Sequence, residues 1–447
     1  MTLTAEHASK SSSKGIAGIA DAAGSAFSLG VEAYLWGYPL VLMERTKAIM
    51  TNPAHCNSAP INTFRHASRL LSPRDREIVK PNNDTLYSFA WLDLTNGPQI
   101  LAVPDTGDRY YSIHFLDAFT NTCAYIGRRT TGTAAGRYVV VGPQWQGELP
   151  DLPVLSIPTN TVWLLGRTLV DGESDMPATE ELINQYQLAP VQSGGGEPRW
   201  TVGPVVSPHT IGQSGLSFFD ELCAALELNP TPVLEAGLME KFEAIGVGRG
   251  RTPSREIADD GTRIALEYSV SFANDMLNAK RLGSGSRTKN PGWSYANDLG
   301  DYGQNYLLRS VIALLGLGAL TAEEAIYASV LSDETGDRLN GTYSYVLHFD
   351  TDKLPPVDAF WSLTVYDDES FLAENPMNRY AIGDRTPGLV YRPDGSLDIF
   401  IQHSEPAEGE ANWLPVPAGP FELTLRFYQP REEMLEGRYV VPPVQRT

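Results

Sequence analysis

The chain has 447 residues, of which 42% are apolar and 20% charged, and its formal charge is −20. That length exceeds one ordinary core, so two or three packed units are expected. The charge argues against a nucleic-acid backbone or an anionic membrane surface as partner, since both are gripped through Lys and Arg, and leaves a neutral or cationic small molecule, a glycan or a divalent metal acceptable.

In chain order, residues 1–24 are small and polar and are expected to be disordered. Lys10 and Lys14 are not followed by an apolar core of the secretory kind, and 31–43 is interrupted by Glu32, Gly37 and Pro39. It reads as too short and too broken to span a bilayer, so a cytoplasmic address is expected. Residues 25–178 form the first unit, a helix over 26–50 followed by strands. Tyr34, Tyr38 and Leu42 repeat along one helix face, and Pro39 should kink or split it. Alternating aromatic and apolar runs at 86–94, 110–117, 137–143 and 161–168, punctuated by Gly, Pro and Asp, predict an antiparallel sandwich.

Residues 179–330 read as helical, over 179–188, 217–228, 232–245, 254–280 and 302–317. A short helix should then start at Thr321 as N-cap, with Glu324 completing a capping box. Gly/Ser runs at 194–196 and 283–286 mark linkers. Residues 331–447 return to strands, at 343–349, 359–366, 396–402 and 421–428. The fold class is therefore mainly β with a helical insert: two antiparallel, jelly-roll-like β-sandwich domains joined by an α-helical segment. YYSIHFLD (110–117) and FWSLTVYD (360–367) echo one another in register, which suggests related units. Cys56, Cys123 and Cys223 are far apart and odd in number, which fits buried thiols in a reducing compartment.

KPNNDTLYS (80–88) together with 110–117 resembles a widespread bacterial family catalogued as domain of unknown function 1254. The segments at 360–367, NPMNRYAIGD (375–384) and NWLPVPAGPF (412–421) resemble its usual C-terminal companion, domain of unknown function 1214. The resemblance implies an N-terminal sandwich, a helical insert and a C-terminal jelly-roll-like sandwich. It carries no reaction, and it implies an exported address for many relatives.

Several polar groupings could carry chemistry. Asn82, Asn83, Asp84 and Tyr87 crowd the start of a strand, where they either shape a turn or place Asp84 as a base with Asn and Tyr orienting a substrate. His114 sits mid-strand between Ile113 and Phe115, as a core group or an acid–base residue. Tyr302, Tyr306 and Arg309 fall at i, i+4 and i+7, one helix stripe that suits either a pocket wall with a proton donor and an anion clamp or a packing stripe with Arg309 paired to an acid. Tyr366, Asp367 and Arg379 lie at strand ends, where loops build sites.

No cofactor is predicted. A divalent metal on His114, His348 and His403 is the one candidate, and no HxH or HxxxH spacing supports it. GxSxG, Walker and HExxH motifs do not occur. The leading expectation is a hydrolase- or lyase-type enzyme acting on a small polar or carbohydrate-like substrate between the sandwiches and the helical segment. The alternative is a non-catalytic small-molecule or glycan-binding protein, with Trp91, Trp361 and Trp413 as stacking platforms. A role within a homo-oligomer is a third reading.

Overall fold

A computed structural model describes residues 4–76, 79–192, 195–281 and 292–447. The expected linker at 283–286, and Gly194 of the other, lie outside the described residues.

The first strand set is β1 (Arg65–His66), β2 (Thr85–Asp93), β3 (Gln99–Val103), β4 (Tyr111–Asp117), β5 (Thr122–Gly127), β6 (Gly136–Val141), β7 (Val154–Ser156), β8 (Thr161–Leu169) and β9 (Gln187–Pro190). It forms two sheets, ordered β1-β2-β8-β4-β5 and β7-β6-β3-β9. The second set is β10 (Trp293–Ser294), β11 (Ala325–Val330), β12 (Tyr345–Phe349), β13 (Val357–Asp367), β14 (Ala381–Gly383), β15 (Leu397–Gln402), β16 (Trp413–Pro415), β17 (Phe421–Pro430) and β18 (Val444–Arg446). Its sheets are ordered β10-β11-β17-β13-β14 and β16-β15-β12-β18. Pairing is antiparallel except for β6 with β7 and β15 with β16. None of the four sheets closes.

Strand alternation decides what each face meets. Tyr111, Ile113 and Phe115 of β4 enter a core shared with Leu101, Val103 and Val140 of the second sheet. The intervening Ser112, His114 and Leu116 face the other way, and they too are buried. β17 is likewise buried at every position. The two five-stranded sheets are therefore covered on both faces, one face by their partner sheet and the other by helices and the opposite half.

The halves share one plan. The strand orders correspond one for one, and the parallel pair recurs at the same edge. In the first five-stranded sheet a cross-strand row runs Tyr87–Arg167–Ser112–Gly127. In the second, the corresponding row runs Tyr327–Arg426–Ser362–Gly383. The turns that close β4 and β13 also match. Asp117 Oδ1 accepts from the Phe119 and Asn121 amides, and Asp367 Oδ1 from those of Glu369 and Phe371. Each turn carries a left-handed residue, Thr120 (φ 70°) or Ser370 (φ 67°).

Helix is more abundant than a mainly β fold implies, and the chain mixes the two. The helices are α1 (Thr4–Met50), α2 (Met176–Ile183), α3 (Ser217–Leu228), α4 (Ala236–Glu243), α5 (Pro253–Glu256), α6 (Asp260–Arg281), α7 (Tyr306–Gly316) and α8 (Glu432–Leu435). α1 starts inside the segment expected to be disordered. Its 23–50 stretch is long and apolar enough, by length and composition, to cross a membrane, contrary to the sequence reading. Here Tyr34, Trp36 and Leu40 are fully buried, in a core that also takes in Phe218, Leu222 and Leu266.

Pro39 does not split α1. It lacks the N–H that would bond the Leu35 carbonyl and crowds the turn before it. α7 supplies the missing donor: Ser310 Oγ donates to Leu35 O, and beside it Arg309 Nη2 donates to Trp36 O at 3.0 Å.

Two expected helices give way to strands. The one at 179–188 ends at Ile183, and Gln187–Pro190 pairs with β3. At Thr321 the backbone makes a single turn before β11, because Glu324 is drawn into contacts with the first half.

Candidate functional site

The loop 80–84 leaves the first half and lies against the second five-stranded sheet. Lys80, at φ 51°, offers its carbonyl to Arg426 Nη2 at 3.2 Å. Pro81 O accepts from Tyr366 OH at 2.8 Å, and Asn82 Nδ2 donates to Tyr428 OH at 2.7 Å. Asp84 accepts from Ser362 Oγ at 2.7 Å and from Arg385 Nη2 at 3.2 Å. Its mate in the other half does the same work in reverse. Glu324, one residue before β11 as Asp84 is one before β2, accepts from Arg129 Nε at 2.7 Å and Tyr110 OH at 2.8 Å. Arg129 and Arg385 each stand two residues past the glycine that ends the row.

The halves are thus latched by two crossed acid–arginine pairs, with Tyr110, Phe360 and Tyr428 packed between them. Asp84 is a latch rather than a free base. Asp384, beside Arg385, is pushed up by burial to about 6 even though the guanidinium opposes the shift. Burial also lifts the Tyr366 phenol, to about 12.

The face of the first five-stranded sheet that bears Arg167 is differently made. Arg167 is 6% exposed, and its Nη2 donates to Gly318 O at 3.0 Å. Its Nε and Nη1 have no hydrogen-bond partner among the described residues. The guanidinium lies 5.6 Å from the centre of the Tyr87 ring. A buried guanidinium stays charged, so free donors there leave an uncompensated cation.

One strand away, His114 is fully buried and stacks on Tyr125 at 4.8 Å. Its Nε2 lies 2.8 Å from Thr122 Oγ1, and Nδ1 has no partner among the described residues. Burial, with the Arg167 charge nearby, holds the imidazole well below the usual histidine range, so it is neutral. In the tautomer that donates from Nε2 to Thr122, Nδ1 presents a bare lone pair.

On the same face Trp91 and Trp163 stack at 5.3 Å, and both indole N–H groups are likewise unpartnered among the described residues. The segment after α7 covers this surface. At Gly318 (φ 84°) a Cβ would stand 2.8 Å from Leu165 Cδ2, so only glycine permits this approach. Tyr87, Phe89, Leu317 and Tyr327 stay half-buried around the buried centre.

The other predicted residues divide plainly. Tyr302, Tyr306 and Arg309 do not join this face as a stripe. Arg309 bridges Trp36 O and Glu235, the latter at 3.9 Å, so its work is to complete α1 beside Pro39. Burial raises Tyr302 to about 12, and Tyr306 is raised by burial and by Glu235. Asn83 donates to Leu71 O. Asp367 holds its turn and meets Arg76. Arg379 donates to the carbonyls of Glu410 and Trp413.

His348 pairs with Asp398 at 2.6 Å and His403 with Val416 O, so the three histidines do not converge. Among the described residues no group of three or more His, Cys, Asp or Glu could hold a metal. A surface cavity of about 430 Å³ is lined by Arg69, Asn375 and Tyr380 among others. There Arg69 is spent on Asp75, Asn375 on its own turn and Tyr380 on Asn378.

Reading by motif missed Arg167 and Arg426. A signal was present in both cases, a lone arginine inside an otherwise apolar strand, WLLGRTL (163–169) and LTLRFY (423–428).

Residues 61–190 match the family described as Protein of unknown function (DUF1254), and residues 324–432 match that described as Protein of unknown function (DUF1214). The crystal structure of the VPA0106 protein from Vibrio parahaemolyticus is similar over 94% of this chain and 100% of its own, at 26% identity and a TM-score of 0.72. A structure of an uncharacterised protein from Burkholderia cenocepacia covers 96% of this chain and 96% of its own, at 12% identity and a TM-score of 0.45. No curated protein matches the sequence.

Proposed function

We propose that this chain, a member of the family that joins a DUF1254 domain to a DUF1214 domain, is a hydrolase- or lyase-type enzyme acting on a small polar substrate at the Arg167 face. One observation carries the reading: a neutral, buried imidazole with an unpartnered Nδ1 stands near a buried guanidinium with unpartnered donors. His114 is suited to take a proton, and Arg167 to hold the negative charge that proton removal or carbonyl attack develops. Tyr87 lies over Arg167 at the rim and would position the substrate, while Asp84, Asn82 and Tyr366 keep the halves in register. Reading each half as a jelly-roll-like sandwich is supported by the single core that its two sheets share.

The test is a turnover screen of the full chain against small esters, lactones, hydroxy acids and glycosides, followed by mass spectrometry. His114→Gln should lower turnover by about a hundredfold or more while far-UV circular dichroism stays unchanged. Equal turnover in the folded variant sinks the role of His114. The stacked Trp91–Trp163 pair favours a second reading, a non-catalytic small-molecule or glycan binder. Ligand binding without turnover of any compound would select it.

A further inference from the structure

We infer that Arg167, and not its counterpart Arg426, is the ligand-binding arginine of this duplicated frame, and that it takes a small organic carboxylate with an apolar or aromatic body.

The two halves supply an internal control. Both arginines occupy the same place in the same row, between a tyrosine and a serine. Around Arg426 the fold provides acceptors: Nη1 donates to Thr364 Oγ1 at 2.6 Å, and Nη2 to Tyr366 OH and to Lys80 O. Thr364 and Tyr366 lie two and four residues beyond the row serine. In the first half those positions are His114, which turns to Thr122 and Tyr125, and Leu116, which has no acceptor to offer. The loop before β2 crosses to Arg426, so among the described residues Arg167 meets only the Gly318 carbonyl. A buried polar group left unsatisfied costs more than its hydrogen bond is worth when made, and a charged one more still. The second frame meets most of that cost internally, with Nε of Arg426 left unpartnered among the described residues; the first leaves both Nε and Nη1 of Arg167 so, and is completed by an acceptor from outside.

The surroundings select the ligand's chemistry. Arg167 is one fixed positive charge, and His114 beside it is neutral, which matches a single negative charge. Phe89, Trp91, Trp163, Leu165 and Leu317 form the adjoining apolar cluster, buried at its centre, which suits an apolar body and disfavours a strongly hydrated dianion such as phosphate. The two free indole N–H groups would receive a further acceptor on that body. This deepens the proposed function by naming its substrate class, and it rests on the same face.

Isothermal titration of the full chain with benzoate, benzamide and inorganic phosphate tests it, alongside Arg167→Met and Arg426→Lys. Benzoate should bind saturably and raise the Tm, with benzamide and phosphate at least about tenfold weaker. Arg167→Met should fold, because it removes an uncompensated charge, and should lose benzoate binding. Arg426→Lys should keep it. The inference is overturned by wild-type protein that does not bind benzoate, by phosphate binding more tightly, by equal loss in both variants, or by an Arg167→Met chain that cannot fold. Binding through Arg167 with no turnover of any carboxylate sinks the enzymatic reading alone and leaves this one standing.

Discussion

The Tyr87–Arg167–Ser112–Gly127 row and the Tyr327–Arg426–Ser362–Gly383 row are built on the same strands in the same order, yet their arginines are treated oppositely. Arg426 is enclosed by a threonine, a tyrosine and a carbonyl from the other half. Arg167 is enclosed by aromatic rings and a single carbonyl. A repeated scaffold can therefore commit one copy of a charged residue to holding the molecule together and leave the other with unused valence. The comparison also reassigns Asp84. Its mate Glu324 makes the same crossed pair with an arginine of the opposite half, and a role found in both copies belongs to the interface.

The latches should show the largest effect. Asp84→Ala and Glu324→Ala each strand a partly buried arginine and should each cost about 3 kcal/mol in urea denaturation. Losses that differ by more than about 1 kcal/mol would break the equivalence of the two pairs.

The arginines come next. Arg426→Met removes three hydrogen bonds and should cost about 3 kcal/mol, whereas Arg167→Met should stay within about 1 kcal/mol of wild type. Equal losses would erase the distinction between the rows.

A smaller effect separates His114 from Thr364, its non-titrating counterpart. The folded-state pKa of His114 lies below its ordinary value of 6.5, so the folded chain binds fewer protons than the unfolded one. Stability should be full above the unfolded value and fall as pH drops below it, by up to about 1.4 kcal/mol per pH unit for this one group. Melting curves from pH 7 to pH 5 should therefore be flatter for His114→Gln than for wild type. An unchanged slope would mean that another group carries the acid sensitivity.

Asp384 should give the smallest change, with the opposite sign. Its pKa is raised to about 6 from 3.8, so its contribution is present below the unfolded value and lost as pH rises through about 6. Asp384→Asn should gain up to about 1 kcal/mol at pH 7 relative to pH 4, reduced by screening at its exposed edge. A gain that does not depend on pH would point to packing instead.

Much of the architecture was legible along the chain. The period-two runs located the long strands β2, β4, β8, β13 and β17, and Ser217–Leu228 lies where the helical period put it. The short strands β7, β9, β14, β16 and β18 were not, because three or four residues hold too few alternations to stand apart from a loop. The sequence marks Asp84 and His114 as candidate catalytic groups and Asn82, Tyr87 and Tyr366 as candidate substrate contacts, but that Asn82, Asp84 and Tyr366 tie the two halves together was not readable in it. Arg309 shows why. Tyr302 falls before α7 begins at Tyr306, so the three share no helix stripe, and what Arg309 does is set by the Trp36 carbonyl beside Pro39, some 270 residues away.

Local order sets what a sequence determines alone: strand period, turn residues, and the echo between 110–117 and 360–367. Hydrogen-bond satisfaction is settled between distant segments, so only the tertiary structure could tell the two arginines apart. The same residue in the same row has both terminal nitrogens engaged where Thr364, Tyr366 and Lys80 reach it, and only one engaged where His114 turns aside and Leu116 has nothing to give.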